Sequence, residues 1–264
     1  MKITAHDVSI AYGDGPTIVH GMSLQANPGE VTTFLGPNGC GKSTFLKALS
    51  RLLIPTEGSV EIDGEPLHQL SPRDAAQRVA LLPQHPICPE GLTVGELVER
   101  GRHPHRKYWW SAGSAKDRQI VADAMERTDT VHLAGRNVAE LSGGQRQRVW
   151  MAMVLAQDTP VVLLDEPTTF LDPAHAMEIL ELARGLAADD KTVITVLHDL
   201  MLAGQYSDRL VVMKDGRQIV AGTPNEALNA EVLHEAYGLN AEVWEDPRGN
   251  SPVIVPRGTS ASSS

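Results

Sequence analysis

Cysteine is scarce in this chain. Cys40 and Cys88 are the only two among 264 residues, which excludes a disulfide framework and a zinc cluster. Long apolar runs are missing as well. None approaches the roughly 18–20 residues that a bilayer-spanning helix needs. The opening Met1-Lys2-Ile3-Thr4-Ala5-His6-Asp7 has no apolar core of a secretory signal. The chain is therefore expected on the cytosolic side, with any membrane link made through a partner. Positive charge is in deficit: 23 Lys and Arg stand against 33 Asp and Glu, a net charge of −10. A general nucleic-acid-binding role, which usually needs a basic face, is disfavoured. Internal repeats are absent. What remains is ordinary globular composition, 42% apolar and 21% charged, in a chain long enough for one large domain or a core with a subdomain.

Residues 3–35 read as β structure, with Val8–Tyr12 alternating, Thr17–Leu24 as a second strand and Asn27-Pro28-Gly29 as a turn. Val31–Leu35 is a buried strand. A helix follows, with Phe45, Ala48, Leu49 and Leu52 on one stripe, stopped by Pro55 and Gly58. Further strands are expected at 59–62, 79–82, 161–164 and 192–197, and a hairpin at 209–220 around Asp215-Gly216. From about 90 to 157 the pattern turns helical. Thr93 and Glu96 form a capped start, 101–113 reads as a loop, and a helix spans about 116–128. Asp172-Pro173 opens another helix, and 224–237 is helical. The tail from Gly258 is expected to be disordered. Strands alternating with helices imply a mainly parallel sheet, with the stretch at 90–157 as a lobe outside it. His103 and His105 suggest a metal pair, but nothing around them has ligand spacing, so a solvated loop fits better.

Gly36-Pro37-Asn38-Gly39-Cys40-Gly41-Lys42-Ser43-Thr44 lies between the strand and the helix. This is a phosphate loop: its glycines turn backbone N–H groups inward, and the helix adds its positive end. Lys42 should reach the β and γ phosphates, and the Ser43 hydroxyl should bind Mg²⁺. Val161-Val162-Leu163-Leu164-Asp165 is an apolar strand ending in a carboxylate. Asp165 can hold the Mg²⁺ water shell, and Glu166 can act as general base on the attacking water. Cys40, at a helix N-terminus beside Lys42, is expected to have a lowered thiol pKa.

Leu141-Ser142-Gly143-Gly144-Gln145 is the more informative motif. Ser142 and Gln145 fit a capping box. Two consecutive glycines weaken a helix start by roughly 1 kcal/mol each relative to Ala, so they point to an anion approaching the backbone.

Together these motifs resemble the ATP-binding subunit of an ABC transporter. The resemblance runs to about residue 240 and adds Gln84 as the Q-loop, Asp172 as the D-loop, His198 at a strand end and Tyr12 as the aromatic that stacks on adenine. Taken alone, Tyr12 also fits a packed strand residue, His198 a core histidine and Asp172 a plain N-cap.

The resemblance implies an α/β fold. It comprises a P-loop NTPase (RecA-like) core at about 1–89 and 158–222, an N-terminal antiparallel β subdomain and an inserted helical subdomain at about 90–157. Residues 241–264 form a C-terminal extension. It also implies a head-to-tail dimer in which Ser142, Gly143 and Gly144 of one copy contact the γ-phosphate held by Lys42 of the other. Gln84 would touch Mg²⁺ and the water, and His198 the γ-phosphate. The implied partners are integral membrane permease subunits and, through them, a substrate-binding protein. The implied place is the cytoplasmic side of the membrane.

Gly101-Arg102-His103-Pro104-His105-Arg106, Thr168–Asp172 and the stretch 222–256 are similar to importers of ferric siderophores, haem and cobalamin, with Phe170 departing from that pattern. Tyr108, Trp109 and Trp110, with Arg102 and Arg106, fit the permease interface; packing of the aromatics within the lobe fits them equally. A soluble ABC ATPase, a P-loop kinase and an exporter subunit are the competing readings. The first usually carries two modules, and the second leaves Ser142–Gln145 unexplained.

Overall fold

The computed structural model describes residues 1–106, 113–169, 171–247, 249 and 251–259. Two antiparallel strands, β1 (Ile3–Ala11) and β2 (Thr17–Ala26), precede the central strand β3 (Val31–Leu35), which is buried throughout. Helix α1 (Lys42–Leu49) buries Phe45, Leu46, Ala48 and Leu49. It stops earlier than its sequence stripe suggests. Arg51 takes a left-handed φ of 66°, which ends the helix and leaves Leu52 65% exposed rather than packed. Strands β4 (Glu57–Ile62) and β5 (Glu65–Pro66) complete an antiparallel sheet of order β2-β1-β4-β5.

After the short α2 (Pro72–Ala76) and β6 (Val79–Leu82), the chain leaves the core for a helical lobe of α3 (Val94–Glu99), α4 (Ala115–Arg127) and α5 (Gly143–Gln157). It returns through β7 (Val161–Asp165), α6 (Pro173–Ala188), β8 (Thr192–Val196), α7 (Leu200–Tyr206), β9 (Arg209–Lys214) and β10 (Arg217–Gly222). The second sheet has order β10-β9-β3-β8-β7-β6, parallel except at β10. Asp215 and Gly216, both at positive φ, turn β9 into β10. One face of this sheet packs with α1 and the antiparallel sheet; the other carries α6 and the lobe. Among the described residues no helix is long and apolar enough to cross a membrane.

Three local expectations are corrected. Residues 101–105 are not a solvated loop but part of a 3-10 helix, Arg100–His105. Arg102 is only 4% exposed. It donates to the Ala156 carbonyl at 2.8 Å and to Asp117 at 2.8 Å, so it caps the carbonyl end of α5 while neutralising a carboxylate. His105 meets the Gln157 carbonyl at 2.7 Å, and among the described residues no cluster of three metal-ligating side chains exists.

The helix expected at 224–237 is two, α8 (Pro224–Ala227) and α9 (Ala230–Tyr237), because Asn229 interrupts to cap the second. The C-terminal part is a hairpin of β11 (Leu239–Glu245) and β12 (Pro252–Thr259), so Gly258 and Thr259 are strand residues. Arg257 braces it by pairing with Glu242 across the strands at 2.9 Å. Tyr108, Trp109, Trp110 and Phe170 lie outside the described residues.

Candidate nucleotide site

The parallel strands β3, β7 and β8 end side by side, and the loops after them build one cleft of about 590 Å³. Asn38, Gly39, Gly41, Lys42, Ser43 and Thr44 form one wall; Gln84, Glu166, Thr169 and His198 form the other. The phosphate loop needs its glycines. Gly36 sits at φ 145°, Gly39 at 78° and Gly41 at 102°. Lys42 is 5% exposed, and its ammonium donates to the carbonyls of Gly36 at 2.7 Å and Pro37 at 2.9 Å. The lysine head is thus folded over the loop, and its third donor meets only the weak acceptor Cys40 Sγ at 3.8 Å, which a phosphate oxygen can readily replace.

Cys40 does not behave as its position suggests. It is buried, and burial pushes its thiol up from the ordinary value, outweighing the pull of Lys42.

The Ser43 hydroxyl donates to Asp165 at 2.7 Å. Burial raises the Asp165 carboxyl above its usual range, and the Ser43 hydrogen bond offsets part of this. One hydroxyl and one carboxylate are hard oxygen donors, and Mg²⁺ typically takes one or two such groups plus phosphate oxygens and water. The pair fits that ion.

Glu166 follows β7 at a left-handed φ of 51°, which turns its side chain into the cleft, where only 10% of it is exposed. Three donors hold the carboxylate. Gln84 Nε2 lies 2.6 Å from Oε2, Thr169 Oγ1 3.1 Å from Oε2, and His198 Nε2 2.6 Å from Oε1. A carboxylate has about four acceptor sites, so one remains free for a water.

Tyr12 lies just past β1 and is 45% exposed, so it is not a packed strand residue; its hydroxyl is 3.4 Å from Thr44 Oγ1. Ser142 and Gln145 form a capping box at the start of α5. Ser142 and Gly143 are exposed, and an added Cβ at Gly143 would touch nothing within 4 Å. This segment, Ser142–Gln145, is not part of the cleft that Lys42 lines. Asp172 caps α6 at the surface, with one oxygen taken by the His175 N–H at 3.0 Å and the other by its ring at 2.7 Å. These bonds hold its carboxyl below the usual range.

Residues 19–169 match the family model described as ABC transporter. The chain belongs to the ABC transporter family. The achromobactin transport ATP-binding protein of Dickeya dadantii is 44% identical over 257 residues, covering 97% of this chain and 95% of that one. The ferric enterobactin transport ATP-binding protein of Escherichia coli is 40% identical over 263 residues, covering 99% and 96%. The cobalamin import ATP-binding protein of Halobacterium salinarum is 40% identical over 257 residues, covering 97% of this chain and 63% of that one. Among solved structures, a metal-chelate type ABC transporter in an inward-facing conformation superposes with a TM-score of 0.82 at 25% identity, over 97% of both chains. A dimeric bacterial ABC transporter cassette does so at 0.74 and 28% identity, over 84% of this chain and 98% of that one. The chain is thus an ATP-hydrolysing ABC subunit on a P-loop NTPase fold.

The cleft of this ABC subunit also holds residues that reading the sequence passed over. Thr169 reaches Glu166, and Ile18 lines the loop side. Gln147, one turn into α5, donates to the Pro167 carbonyl at 2.8 Å and ties the Ser142 helix to the Glu166 loop. For Thr169 a signal existed: a hydroxyl three residues after a turn-forming Glu can reach back to it. For Gln147 none did, since its partner comes from another segment.

Proposed function

We propose that two copies of this chain pair head to tail around two MgATP, hydrolyse them, and so drive import of an iron chelate through membrane subunits. The observation that carries the pairing is the helix start at Ser142-Gly143-Gly144, with Ser142 and Gly143 exposed and Gly144 half-buried, outside the chain's own cleft. The capping box takes the N–H groups of Ser142 and Gln145 but leaves those of Gly143 and Gly144 to an anion, and the cleft of a second copy can bring one.

Within the cleft, Lys42 and the loop N–H groups of residues 36–44 bind phosphate, and the exposed ring of Tyr12 offers adenine a stacking face. Asp172 would face the second copy. Ser43 and Asp165 would hold Mg²⁺, with Gln84 at its water shell; the ion neutralises charge on the β and γ phosphates when bound. Glu166 takes the proton of the attacking water through the free site on Oε1. His198 keeps that carboxylate oriented and offers its ring to the γ-phosphate.

An iron chelate is favoured as cargo by the achromobactin and enterobactin relatives and by the stretch Gly101–Arg106. Cobalamin is the second reading, favoured by the Halobacterium relative. The chain would sit peripherally on the cytoplasmic membrane face. There an apolar groove of about 440 Å³, lined by Leu52, Ile87, Trp150 and Met153, would seat the permease. Ile87 is 89% exposed, a large apolar side chain with nothing packed over it. Gln84 lies on the same loop as Ile87, which gives docking a route to the cleft.

Glu166→Gln tests the pairing. It should bind MgATP normally, hydrolyse it about 100-fold more slowly and elute as a dimer only with MgATP. A variant that stays monomeric with nucleotide bound would contradict the head-to-tail site.

A further inference from the structure

Glu166 receives its three donors from different places, and only one of them lies on its own loop. Gln84 follows β6, whose loop continues into the groove residues Pro86 and Ile87, and His198 follows β8. Thr169 belongs to the Glu166 loop itself. Its N–H donates to the Glu166 carbonyl at 3.2 Å, closing a turn, and its hydroxyl donates to Glu166 Oε2 at 3.1 Å. The turn is anchored elsewhere too, by Gln147 on the Pro167 carbonyl and by the Glu166 N–H on the Val196 carbonyl at 3.2 Å. Thr169 is also in the wall between the nucleotide cleft and a second cavity of about 310 Å³, which Glu166 and His198 line as well.

From this geometry we infer that Thr169 is the positioning residue of the general base. The terminal torsion of a glutamate is broad and roughly two-fold, so the carboxylate turns freely unless donors fix it. Gln84 and His198 reach it from the separate loops after β6 and β8. Thr169 fixes Oε2 from within the Glu166 turn itself, and so keeps the remaining acceptor site of Oε1 aimed at the attacking water. The hydroxyl takes no part in proton transfer. The proton passes from water to Oε1, and Thr169 keeps its own.

The inference rests on Glu166 being the base, and the experiment separates the two. Full-length Thr169→Val, Thr169→Ser and Glu166→Gln, and the Thr169→Val/Glu166→Gln pair, are compared for steady-state MgATP hydrolysis, for equilibrium MgATP binding and for melting temperature. Thr169→Val should lower kcat about tenfold, a part of the 10²–10⁴ available from a positioned base. MgATP affinity should stay within twofold of wild type. Thr169→Ser, which keeps the hydroxyl, should stay within about threefold of wild type. In the Glu166→Gln background Thr169→Val should change nothing further, because the group it positions is gone.

Wild-type kcat in Thr169→Val would overturn the inference. A parallel loss of MgATP affinity would do the same, as would a tenfold fall that persists in the Glu166→Gln background. If Thr169→Val melts too low to assay, Thr169→Ser against Thr169→Ala carries the same comparison. Wild-type turnover in Glu166→Gln alone would instead remove Glu166 as base.

Discussion

Two glycines of this chain look alike in sequence, yet alanine should affect them in opposite ways. At Gly36 φ is 145°, a conformation that residues with a Cβ rarely adopt, and an added Cβ would stand 2.1 Å from the Met213 carbonyl and 2.8 Å from the Cys40 sulfur. Met213 is in β9, locked in register to β3 through Phe34 with Val211 and Leu35 with Val212, so neither backbone can yield cheaply. Backbone strain of about 1–3 kcal/mol and overpacking of about 1–3 kcal/mol add to roughly 4 kcal/mol. For a chain of this size that corresponds to a melting point lower by about 8–16 °C.

At Gly143 nothing lies within 4 Å of an added Cβ, and the residue is already helical. Alanine there gains helix propensity of up to about 1 kcal/mol, so melting should be unchanged or slightly higher. MgATP-dependent dimerisation and hydrolysis should nevertheless fall about tenfold or more, because the methyl group stands where an anion must reach the N–H groups. Calorimetric melts and phosphate release read the two effects separately. A Gly36→Ala melt within about 2 °C of wild type would contradict the steric clash at Gly36, and a Gly143→Ala variant that melts well below wild type or keeps full turnover would contradict the open anion seat at Gly143.

Two further outcomes follow from the lobe and the groove. Burial pushes the Asp117 carboxyl up, but bonds from Arg102 and Ser114 outweigh it and bring it to about 2 from an ordinary 3.8. Its depressed folded value means that its stabilisation is fully present above about pH 4 and is lost as pH falls towards 2. Asp117→Asn should therefore unfold more easily than wild type at neutral pH, and urea titrations should show the gap closing between pH 4 and pH 2. Ile87→Asp should abolish transport in cells while leaving hydrolysis by the purified chain unchanged, because Ile87 lines the groove and not the cleft; unimpaired transport would remove the groove as the permease seat.

The elements with strong local signals were legible in the sequence. The buried strands before Gly36 and Glu166, the capping boxes at Thr93 and Ser142 and the Asp215-Gly216 turn each carry their cause within a few residues. That Lys42, Gln84, Glu166 and His198 share one cleft was legible because these side chains follow strand ends, and parallel strands bring their ends together. What was missed depends on distant partners. Arg102 reads as an interface charge, but it is buried within the lobe once Asp117 and the end of α5 are placed around it. The C-terminal hairpin joins two half-exposed strands whose pairing crosses a polar tip. The raised thiol of Cys40 illustrates the same limit, since helix end and neighbouring lysine argue one way and burial, invisible in sequence, argues the other.

Whether this chain energises uptake of an iron chelate is decided by measuring uptake of radiolabelled iron, supplied as several chelates, in cells whose only copy is wild type or Glu166→Gln. Uptake of at least one ferric chelate should be lost with Glu166→Gln and present with wild type, while labelled cobalamin enters equally in both. Equal uptake of every ferric chelate in the two strains would contradict that role.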